Sequence, residues 1–213
     1  MAQKGISKSV LGRLPVYLGY LKSLPPSAPC NISATTLAAA LSMGEVQVRK
    51  DLATVSTAGR PKIGYLVSGL ITELESFLGY DDVNDAVIVG AGKLGKALLD
   101  YSGFNQYGLN IIAAFDIRDE LVGKTEGEKS IFSLTKFHDL CSRLKIRIGI
   151  ITVPADCAQG VCDLMIENGI LAVWNFAPVH LVVPGNILVQ NENMAASLAL
   201  LSSHLSDQIN KDQ

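Results

Sequence analysis

The chain has 213 residues, of which 48% are hydrophobic and 18% charged, enough for one large domain or two small ones. No stretch reaches the roughly eighteen apolar residues of a membrane span, and no apolar secretion signal begins the chain, so we expect a soluble, cytoplasmic protein with no membrane partner. The formal net charge is −2, but residues 1–62 hold eight Lys or Arg against two acids, which leaves ten basic and eighteen acidic residues elsewhere. This asymmetry predicts a basic module for a polyanion joined to an acidic domain.

The first predicted element is an amphipathic helix from Ser7 to Leu24, because apolar residues recur there at spacings of three and four. Pro15 lies inside this pattern, and proline both removes a helical hydrogen bond and clashes with the preceding turn. We therefore expect the helix to end or kink near Leu14.

A helix, a turn and a second helix come next. Ser33 is a typical N-cap for a short helix from Ala34 to Leu41, and Gly44 lies in the turn before a helix that begins near Glu45. A recognition helix needs one face that packs on its own domain and another that donates to base edges and phosphates. The later helix offers the polar residues Gln47, Arg49, Lys50 and Thr54 and the apolar residues Val46, Val48, Leu52 and Val55. If the helix stood alone, a solvated basic face would be the simpler interpretation.

The segment from Ala58 to Val67 has a short turn between two potential strands, with Arg60 and Lys62 at its tip. A β-hairpin of this kind lays its basic residues along phosphates or into the minor groove. Three helices and such a wing predict a winged helix-turn-helix. A further helix from Val67 to Leu78 would lead to the second domain.

The motif G-x-G-x-x-G follows the apolar run 87–89, at Gly90, Gly92 and Gly95, and a helical pattern follows it. Strand, glycine turn and helix form the context of a dinucleotide fingerprint, in which the helix N-terminus holds a pyrophosphate. The alternative is a glycine-rich turn with no ligand.

Asp116 ends the next apolar run, about twenty residues later. A carboxylate there accepts hydrogen bonds from the adenosine ribose and repels a 2′-phosphate, which favours NAD, although Arg118 leaves NADP open as the less favoured ligand. Domains of related shape also bind coenzyme A, which the acid makes the weaker alternative.

Alternating strands and helices continue to residue 175 and predict a doubly wound sheet whose ligand lies beyond the carboxyl ends of the strands. The predicted strands are 131–132, 148–153 and 171–175, and 120–130 is expected to be a loop. The residues at the strand ends are Thr152, Val153, Pro154, Asn175 and Phe176. The four cysteines form no C-x-x-C pair and have no histidine at ligand spacing, so we expect reduced thiols and no metal site.

The last predicted element is a helix from Asn193 to Ile209 with an apolar stripe at Met194, Leu198, Leu201 and Leu205. We expect it to form a homodimer, since DNA-binding modules of this type usually act as dimers on palindromes. The expected domains are residues 1–80, 81–190 and 191–213.

These stretches together resemble the Rex family of bacterial redox-sensing transcriptional repressors over nearly the whole chain. The resemblance is carried by Arg13-Leu-Pro15, Tyr17, Tyr20-Leu21, Val48-Arg-Lys-Asp-Leu52, Gly64-Tyr65, Val89-Gly-Ala-Gly-Lys-Leu-Gly95, Tyr101-Ser-Gly-Phe104, Ala113-Ala-Phe-Asp116, Val153-Pro154, Ala158-Gln159 and Asn175-Phe-Ala-Pro178. It implies a homodimer that binds an AT-rich inverted repeat of double-stranded DNA when free or loaded with NAD⁺ and releases it on binding NADH. It also implies a C-terminal helix exchanged between subunits.

The residue pattern and the resemblance together predict three groups of site residues. The NAD(H) group comprises Gly90, Ala91, Gly92, Lys93, Leu94, Gly95, Asp116, Thr152, Val153, Pro154, Asn175 and Phe176; the DNA group Arg13, Gln47, Arg49, Lys50, Arg60 and Lys62; and the interface group Tyr101, Phe104 and Asn193. Two departures from the family pattern affect the wing and the switch. Residues 53–59 lack two aromatics usual in the family, and Asn193 stands where an aspartate is usual.

An apolar pocket around Val153, Pro154 and Phe176 would favour the reduced nicotinamide ring, because the oxidised ring carries a charge that must be desolvated. The rival interpretation is an NAD-dependent oxidoreductase whose first helices merely dimerise. Such an enzyme needs a proton donor beside the nicotinamide, and among the histidines only His180 could lie near it. The basic N-terminal domain favours the interpretation as a DNA-binding repressor.

Overall fold

The computed structural model describes residues 6–123, 125–126 and 129–211. The chain divides into two compact units, Met1–Asp82 and Val83–Gln213. Within the described residues, none of the helices combines the length and the apolar character needed to cross a membrane.

The first unit is a helical domain with a small antiparallel sheet. Its elements are α1 (Lys8–Ser23), β1 (Asn31–Ile32), α2 (Ala34–Ala40), α3 (Glu45–Val55), β2 (Tyr65–Leu66) and α4 (Val67–Leu78). The predicted N-cap of α2 is confirmed, since Ser33 Oγ accepts a hydrogen bond from the Thr36 amide at 3.0 Å. One apolar core joins all four helices, with Leu18, Leu37, Leu52 and Leu74 almost fully buried in it.

Of the two outcomes expected at Pro15, a helix end or a kink, the end is wrong, because α1 continues through the proline to Ser23. The reason is tertiary packing. The buried face carries Leu14, Tyr17, Leu18 and Leu21, none more than 2% exposed. Burial of each such side chain contributes about 1.5–3 kcal/mol, which together exceeds the roughly 3 kcal/mol that an interior proline costs.

The predicted wing is present but is shorter than a full β-hairpin. The chain turns back on itself at Arg60 and Gly64, whose amides and carbonyls exchange two hydrogen bonds of 3.0 and 2.9 Å. The strand that follows, β2, pairs with β1 rather than with a longer first arm of the hairpin. Arg60 and Lys62 lie exposed on this turn.

In its described residues, the second unit has seven strands in the order β5-β6-β4-β3-β7-β8-β9, all parallel except β5. Its elements are β3 (Asn84–Val89), α5 (Lys93–Asp100), β4 (Leu109–Asp116), β5 (Thr125–Glu126), β6 (Lys129–Ser133), α6 (Phe137–Leu144), β7 (Ile148–Ile151), α7 (Ala155–Glu167), β8 (Ala172–Asn175), β9 (Leu188–Asn191) and α8 (Met194–Lys211), with 3₁₀ turns at Ser102–Tyr107 and Leu134–Lys136. The doubly wound sheet is confirmed. Its strand order reverses between β3 and β7, the point at which such sheets bind ligands.

Two strands of this sheet differ from the sequence prediction. The segment expected to be a loop contains β5 and the start of β6, and β9 was not predicted. β9 lies at the edge of the sheet and three of its four residues are exposed, so it lacks the apolar pattern by which the central strands are recognised.

The terminal helix α8 carries the predicted apolar stripe on an exposed surface. Met194, Leu198, Leu201 and Leu205 are each more than half exposed. An apolar stripe of this length left in water is typical of an interaction surface.

Candidate nucleotide and DNA-binding sites

The glycine turn between β3 and α5 depends on two close approaches. Gly90 has a φ of +106°, and a Cβ there would lie 2.8 Å from the carbonyl oxygen of Thr152. A Cβ at Gly95 would collide with the carbonyl oxygen of Gly90. These two glycines therefore let β3, β7 and α5 meet.

Gly92 differs from its neighbours, because its position is not crowded by protein backbone. The nearest atom to a Cβ built there is Arg118 Nη2, at 3.9 Å. The residue lines an open cavity and directly precedes α5, whose first-turn amides and dipole favour an anion. A pyrophosphate fits this turn.

The cavity beside the turn has a volume of about 740 Å³ and lies wholly within the second unit. It is lined by Val89, Gly90, Gly92, Leu94, Asp116, Ile117, Arg118, Leu134, Thr152, Val153, Pro154, Cys157, Val161 and Phe176. The strand ends of β3, β4 and β7 thus converge on one cleft large enough for a dinucleotide.

Eight of the twelve residues predicted to contact the cofactor line this cavity, and Ala91, Lys93, Gly95 and Asn175 do not. Ala91 instead donates its amide to Asp116, and Gly95 packs against the Gly90 carbonyl. Among the lining residues that were not predicted, Ile117 follows Asp116 directly, and Cys157 and Val161 lie one turn apart on α7. Their spacing from the strand ends could have suggested them.

Asn175 does not line the cavity but stabilises the loop that follows β8. Its side chain is fully buried, and its Nδ2 donates to the carbonyl oxygens of Ala177 and Val179 and to Asn191 Oδ1. Its Oδ1 accepts from the Ala177 amide at 2.9 Å. The amide group is therefore satisfied within the protein and holds Phe176 at the cavity wall.

Asp116 is 5% exposed, and each oxygen of its carboxylate accepts hydrogen bonds from protein donors. Oδ2 accepts from the Ala91 amide at 2.7 Å and from Arg118 Nη2 at 2.9 Å, while Oδ1 accepts from the amide and Nε of Arg118, both at 2.9 Å. Burial alone would raise the pKa of Asp116, but these hydrogen bonds outweigh it and lower the pKa to about 2. The group is a carboxylate at neutral pH.

The opposite end of the cavity is mainly apolar. Val153, Pro154 and Phe176 form its walls, and Thr152 Oγ1 donates to the Gly90 carbonyl at 2.6 Å. Cys157 is the thiol at this end, and Asp156 beside it raises its pKa, so the thiol stays protonated. His180 does not line the cavity.

A row of aromatic rings leads from the cavity to the surface. Phe176 lies 4.8 Å from Trp174, Trp174 lies 5.5 Å from Phe104, and Phe104 lies 4.9 Å from Tyr101, measured between ring centroids. Tyr101 is half exposed. The two aromatic residues predicted for the subunit interface are thus connected to the cavity wall through Trp174.

Asn193, the third predicted interface residue, caps α8. Its Oδ1 accepts a hydrogen bond from the Ala196 amide at 2.9 Å. The residue therefore has a local role in starting the helix.

In the first unit, α3 and the wing form one basic surface. Arg49, Arg60 and Lys62 line a single groove beside the start of α2, and Arg49 also pairs with Glu45 one turn earlier. Lys50 is exposed on the same helix. The groove therefore presents three of the predicted phosphate-binding cations together.

Val46 departs from the sequence interpretation, which packed it against the domain. It is 64% exposed, while Val48 and Leu52 are fully buried. The helical repeat explains this, because Val46 lies opposite the stripe formed by positions 48, 52 and 55. An exposed valine near the start of a recognition helix is suited to contact thymine methyl groups.

Arg13 and Gln47, also predicted to bind DNA, lie together where α1 meets α3. Arg13 Nε and Nη2 donate to the two oxygens of Asp51 at 2.7 and 2.9 Å, and Tyr17 donates to Asp51 at 2.7 Å. The Gln47 amide, with its oxygen oriented to accept, lies 2.8 Å from Arg13 Nε and 2.9 Å from Nη1. Arg13 is thus engaged in fixing the recognition helix.

Hydrogen bonding also shifts the pKa values of this network. Burial, and then the Asp51 carboxylate, raises the pKa of Tyr17 to about 12. Burial alone would raise the pKa of Asp51, but the hydrogen bonds from Arg13 and Tyr17 outweigh it, and the pKa lies below its ordinary value. At neutral pH the network holds one carboxylate, one guanidinium and one neutral phenol.

Known proteins resemble both units. Residues 81–179 match the family described as "CoA binding domain", and residues 5–53 match "Putative DNA-binding protein N-terminus". The chain is 39% identical over 201 residues to the redox-sensing transcriptional repressor Rex of Bacteroides fragilis, covering 94% of this chain and 91% of that protein. It is 35% identical over 211 residues to the protein of the same name in Clostridium acetobutylicum, covering 99% and 98%.

Two solved structures align with almost the whole chain. RSP in complex with β-NAD⁺ and operator DNA has a TM-score of 0.89 at 32% identity and covers 99% of this chain and 97% of its own. RSP in complex with β-NADH has a TM-score of 0.88 at the same identity and covers 99% of each chain. The relatives are thus named as transcriptional repressors, not as enzymes.

Proposed function

The chain belongs to the Rex family of redox-sensing transcriptional repressors, and we propose that it controls transcription according to the balance of NADH and NAD⁺. It binds operator DNA when its nucleotide cavity is empty or holds NAD⁺, and it releases the DNA when the cavity holds NADH. One observation carries this proposal: a single chain joins a helix-turn-helix unit with a basic groove to a unit whose glycine turn borders a cavity of dinucleotide size. The ligands named for RSP, β-NAD⁺, β-NADH and operator DNA, support it.

The residues of the second unit fit NAD(H) at three places along the cavity. Gly92 and the first turn of α5 receive the pyrophosphate, Asp116 and Arg118 border the adenosine ribose, and Val153, Pro154 and Phe176 surround the nicotinamide. The apolar wall disfavours the charged ring of NAD⁺. Discrimination in favour of NADH therefore follows from desolvation.

The residues of the first unit fit the DNA backbone and the edge of a major groove. Arg49, Arg60 and Lys62 supply phosphate contacts from their shared groove, and Lys50 supplies a further cation on α3. Val46, exposed near the start of α3, would contact base edges, whereas the Gln47 amide oxygen is engaged with Arg13. We assign Arg13 to positioning α3, through Asp51, rather than to a contact with DNA.

The functional form in this proposal is a homodimer in the cytoplasm. The exposed stripe of α8 supplies the apolar surface, and exchange of that helix between subunits would cover it. The aromatic row from Phe176 to Tyr101 gives the nucleotide cavity a packed connection to the predicted interface. The switch requires only that NADH and NAD⁺ differ in their relative affinity for two arrangements of the dimer.

The test is fluorescence anisotropy of a labelled AT-rich inverted repeat with the purified protein at fixed salt, titrated separately with NAD⁺ and NADH. Release by NADH at concentrations where NAD⁺ has little effect is the expected result. A protein that binds NADH but no operator fragment would contradict the proposal.

A glycine variant supplies the matched control. A Cβ at Gly92 meets no protein atom closer than 3.9 Å and lies in the cavity, so Gly92→Ala should fold normally and bind DNA but respond weakly to NADH. Gly95→Ala places its Cβ against the Gly90 carbonyl, so it should lose both stability and nucleotide binding. Equal loss of stability in both variants would mean that Gly92 has a structural role only.

A further inference from the structure

We propose that the adenosine end of the nucleotide cavity accepts a 2′-phosphate, so that NADPH is a ligand of this protein as well as NADH, and that Arg118 is the residue that decides it. This inference rests on the proposed function, because it concerns the same cavity. It adds a second chemical class of ligand, a dinucleotide that carries a phosphate on its adenosine ribose.

The first observation is the state of the Asp116 carboxylate. In a pocket selective for NAD(H), a carboxylate with free acceptor positions receives the ribose hydroxyls and repels a 2′-phosphate. Here each oxygen already accepts two hydrogen bonds, one from a main-chain amide and one from the Arg118 guanidinium. A carboxylate has about four acceptor positions, so none is left for the ribose while Arg118 stays in place.

The second observation is which charge the ligand meets. Asp116 is 5% exposed, whereas the side chain of Arg118 is 49% exposed and lines the cavity. The ion pair is neutral overall, and its outer member is the cation. A dianionic phosphate approaching this end therefore meets guanidinium N–H groups before it meets the carboxylate.

The third observation is the position of the guanidinium relative to the glycine turn. Arg118 Nη2 lies 3.9 Å from a Cβ built on Gly92, at the turn that receives the pyrophosphate. Only Nε and Nη2 of the guanidinium bond the carboxylate, which leaves Nη1 facing away from Asp116. Arginine binds phosphate well because its planar donors match the geometry of the phosphate oxygens.

One further acid acts on Arg118. The hydrogen bond to Asp116 is the main cause that raises its pKa, and Glu120 adds to the effect. Glu120 lies exposed on the turn after β4, where salt and water screen its charge. Glu120 therefore weakens the attraction of Arg118 for a phosphate but does not occupy its N–H donors.

The test compares two nucleotides that differ only in the 2′-phosphate. Adenosine 2′,5′-bisphosphate and adenosine 5′-monophosphate are titrated into the full-length protein by calorimetry, and NADPH and NADH are titrated in parallel. We expect the wild-type protein to bind the bisphosphate at least as tightly as the monophosphate, and NADPH within about tenfold of NADH. Charge-assisted hydrogen bonds of this kind contribute about a factor of ten in affinity.

The variant Arg118→Ala should lose about tenfold in affinity for the bisphosphate relative to the monophosphate, and about tenfold for NADPH relative to NADH. Arg143→Ala is the matched control, because Arg143 is an exposed arginine of the same unit that pairs with Asp139 on α6 and does not line the cavity. Should the Arg118 variant fail to fold, the wild-type comparison of the two adenosine nucleotides decides the question.

The possible results separate this inference from the proposed function. Wild-type protein that binds NADH but discriminates more than a hundredfold against NADPH and the bisphosphate overturns the role of Arg118 and leaves the redox repressor standing. Protein that binds none of the four nucleotides overturns both. Loss of bisphosphate affinity in Arg118→Ala, without loss in Arg143→Ala, supports the inference.

Discussion

Among the described residues, each unit contains one buried aspartate that accepts two side-chain hydrogen bonds from an arginine, and the two aspartate–arginine pairs connect different parts of the chain. Asp51 binds Arg13, 38 residues away on another helix, and Tyr17 completes the contact. Asp116 binds Arg118, only two residues along the same chain segment. The first pair therefore ties together two elements of the fold, while the second joins two residues of one segment and stands at the edge of a ligand cavity.

This comparison teaches that burial of a carboxylate does not by itself reveal its role. Both aspartates are about equally buried, and hydrogen bonding lowers the pKa of both. The partners differ, since the side chain of Arg13 is 22% exposed and that of Arg118 is 49% exposed. The exposure of the partner and its distance along the chain separate a structural pair from one available to a ligand.

The largest effect is expected for Asp51→Asn. An amide oxygen cannot replace a carboxylate that accepts three side-chain hydrogen bonds, so Arg13 and Tyr17 would lose partners inside the domain. The change should lower the free energy of unfolding of the first unit by about 2 kcal/mol and weaken operator binding about tenfold or more. Circular dichroism during urea unfolding measures the first quantity, and anisotropy measures the second.

The control for this change is Asp139→Asn. Asp139 pairs with Arg143 one turn along α6, and both side chains are largely exposed. An exposed helical pair contributes at most about 0.5 kcal/mol. If Asp51→Asn behaved like this control, then the network at Asp51 would not hold α3 in place.

A smaller effect, confined to DNA binding, is expected for Lys50→Ala. Lys50 is exposed on α3 and belongs to the group proposed to bind phosphates, in contrast to Arg13. Its loss should weaken operator binding several-fold, lower the slope of log affinity against log salt by about 1, and leave thermal stability unchanged. Lys8→Ala, a change of another exposed lysine in the same unit, should leave the slope as it is. A loss of stability in Lys50→Ala would mean that Lys50, like Asp51, has a structural role instead.

The second aspartate is tested by Asp116→Asn. Arg118 is half exposed and water can solvate it, so the cost in stability should be below that of Asp51→Asn. The change removes the negative charge beside the ribose and releases Arg118, so the ratio of NADPH affinity to NADH affinity should rise. Calorimetry with both dinucleotides measures the ratio. An unchanged ratio would show that neither member of the pair contacts the ribose.

The sequence predicts local features of the molecule well. The glycine fingerprint, the N-cap at Ser33 and the helix from Val67 to Leu78 depend on residues within a few positions of each other, and the structure has all three. Because strand ends converge in a parallel sheet, the cavity lining at Thr152 and Val153 could also be expected.

Features that depend on distant contacts could not be predicted in this way. The role of Arg13 depends on Asp51, and nothing in the spacing of 38 residues indicates that they meet. Continuation of α1 through Pro15 depends on the core that its buried face joins. The hydrogen bonding of the Asp116 carboxylate could be predicted only in part. The sequence shows that Arg118 lies two residues away, but it does not show that the guanidinium bonds the carboxylate.

The smallest expected effect is the response of the two aspartates to acid. A carboxyl whose pKa is lower in the folded protein than in the unfolded chain stabilises the fold above its unfolded pKa, and this contribution is lost as the pH falls toward its folded pKa. For Asp116 the ordinary value is 3.8 and the folded value about 2, so the loss falls between about pH 4 and pH 2.

The wild-type protein and Asp116→Asn should therefore differ most in stability at about pH 5 and above, and converge as the pH approaches 2. Fluorescence of Trp174, the one tryptophan of the chain, follows unfolding of the second unit alone. Because Asp51 lies in the first unit, its own acid response appears in the circular dichroism but not in this signal. A stability difference between wild type and Asp116→Asn that stayed constant from pH 5 to pH 2.5 would mean that the hydrogen bonds from Arg118 do not favour the ionised carboxyl, and the two buried aspartates would then differ in charge as well as in partner.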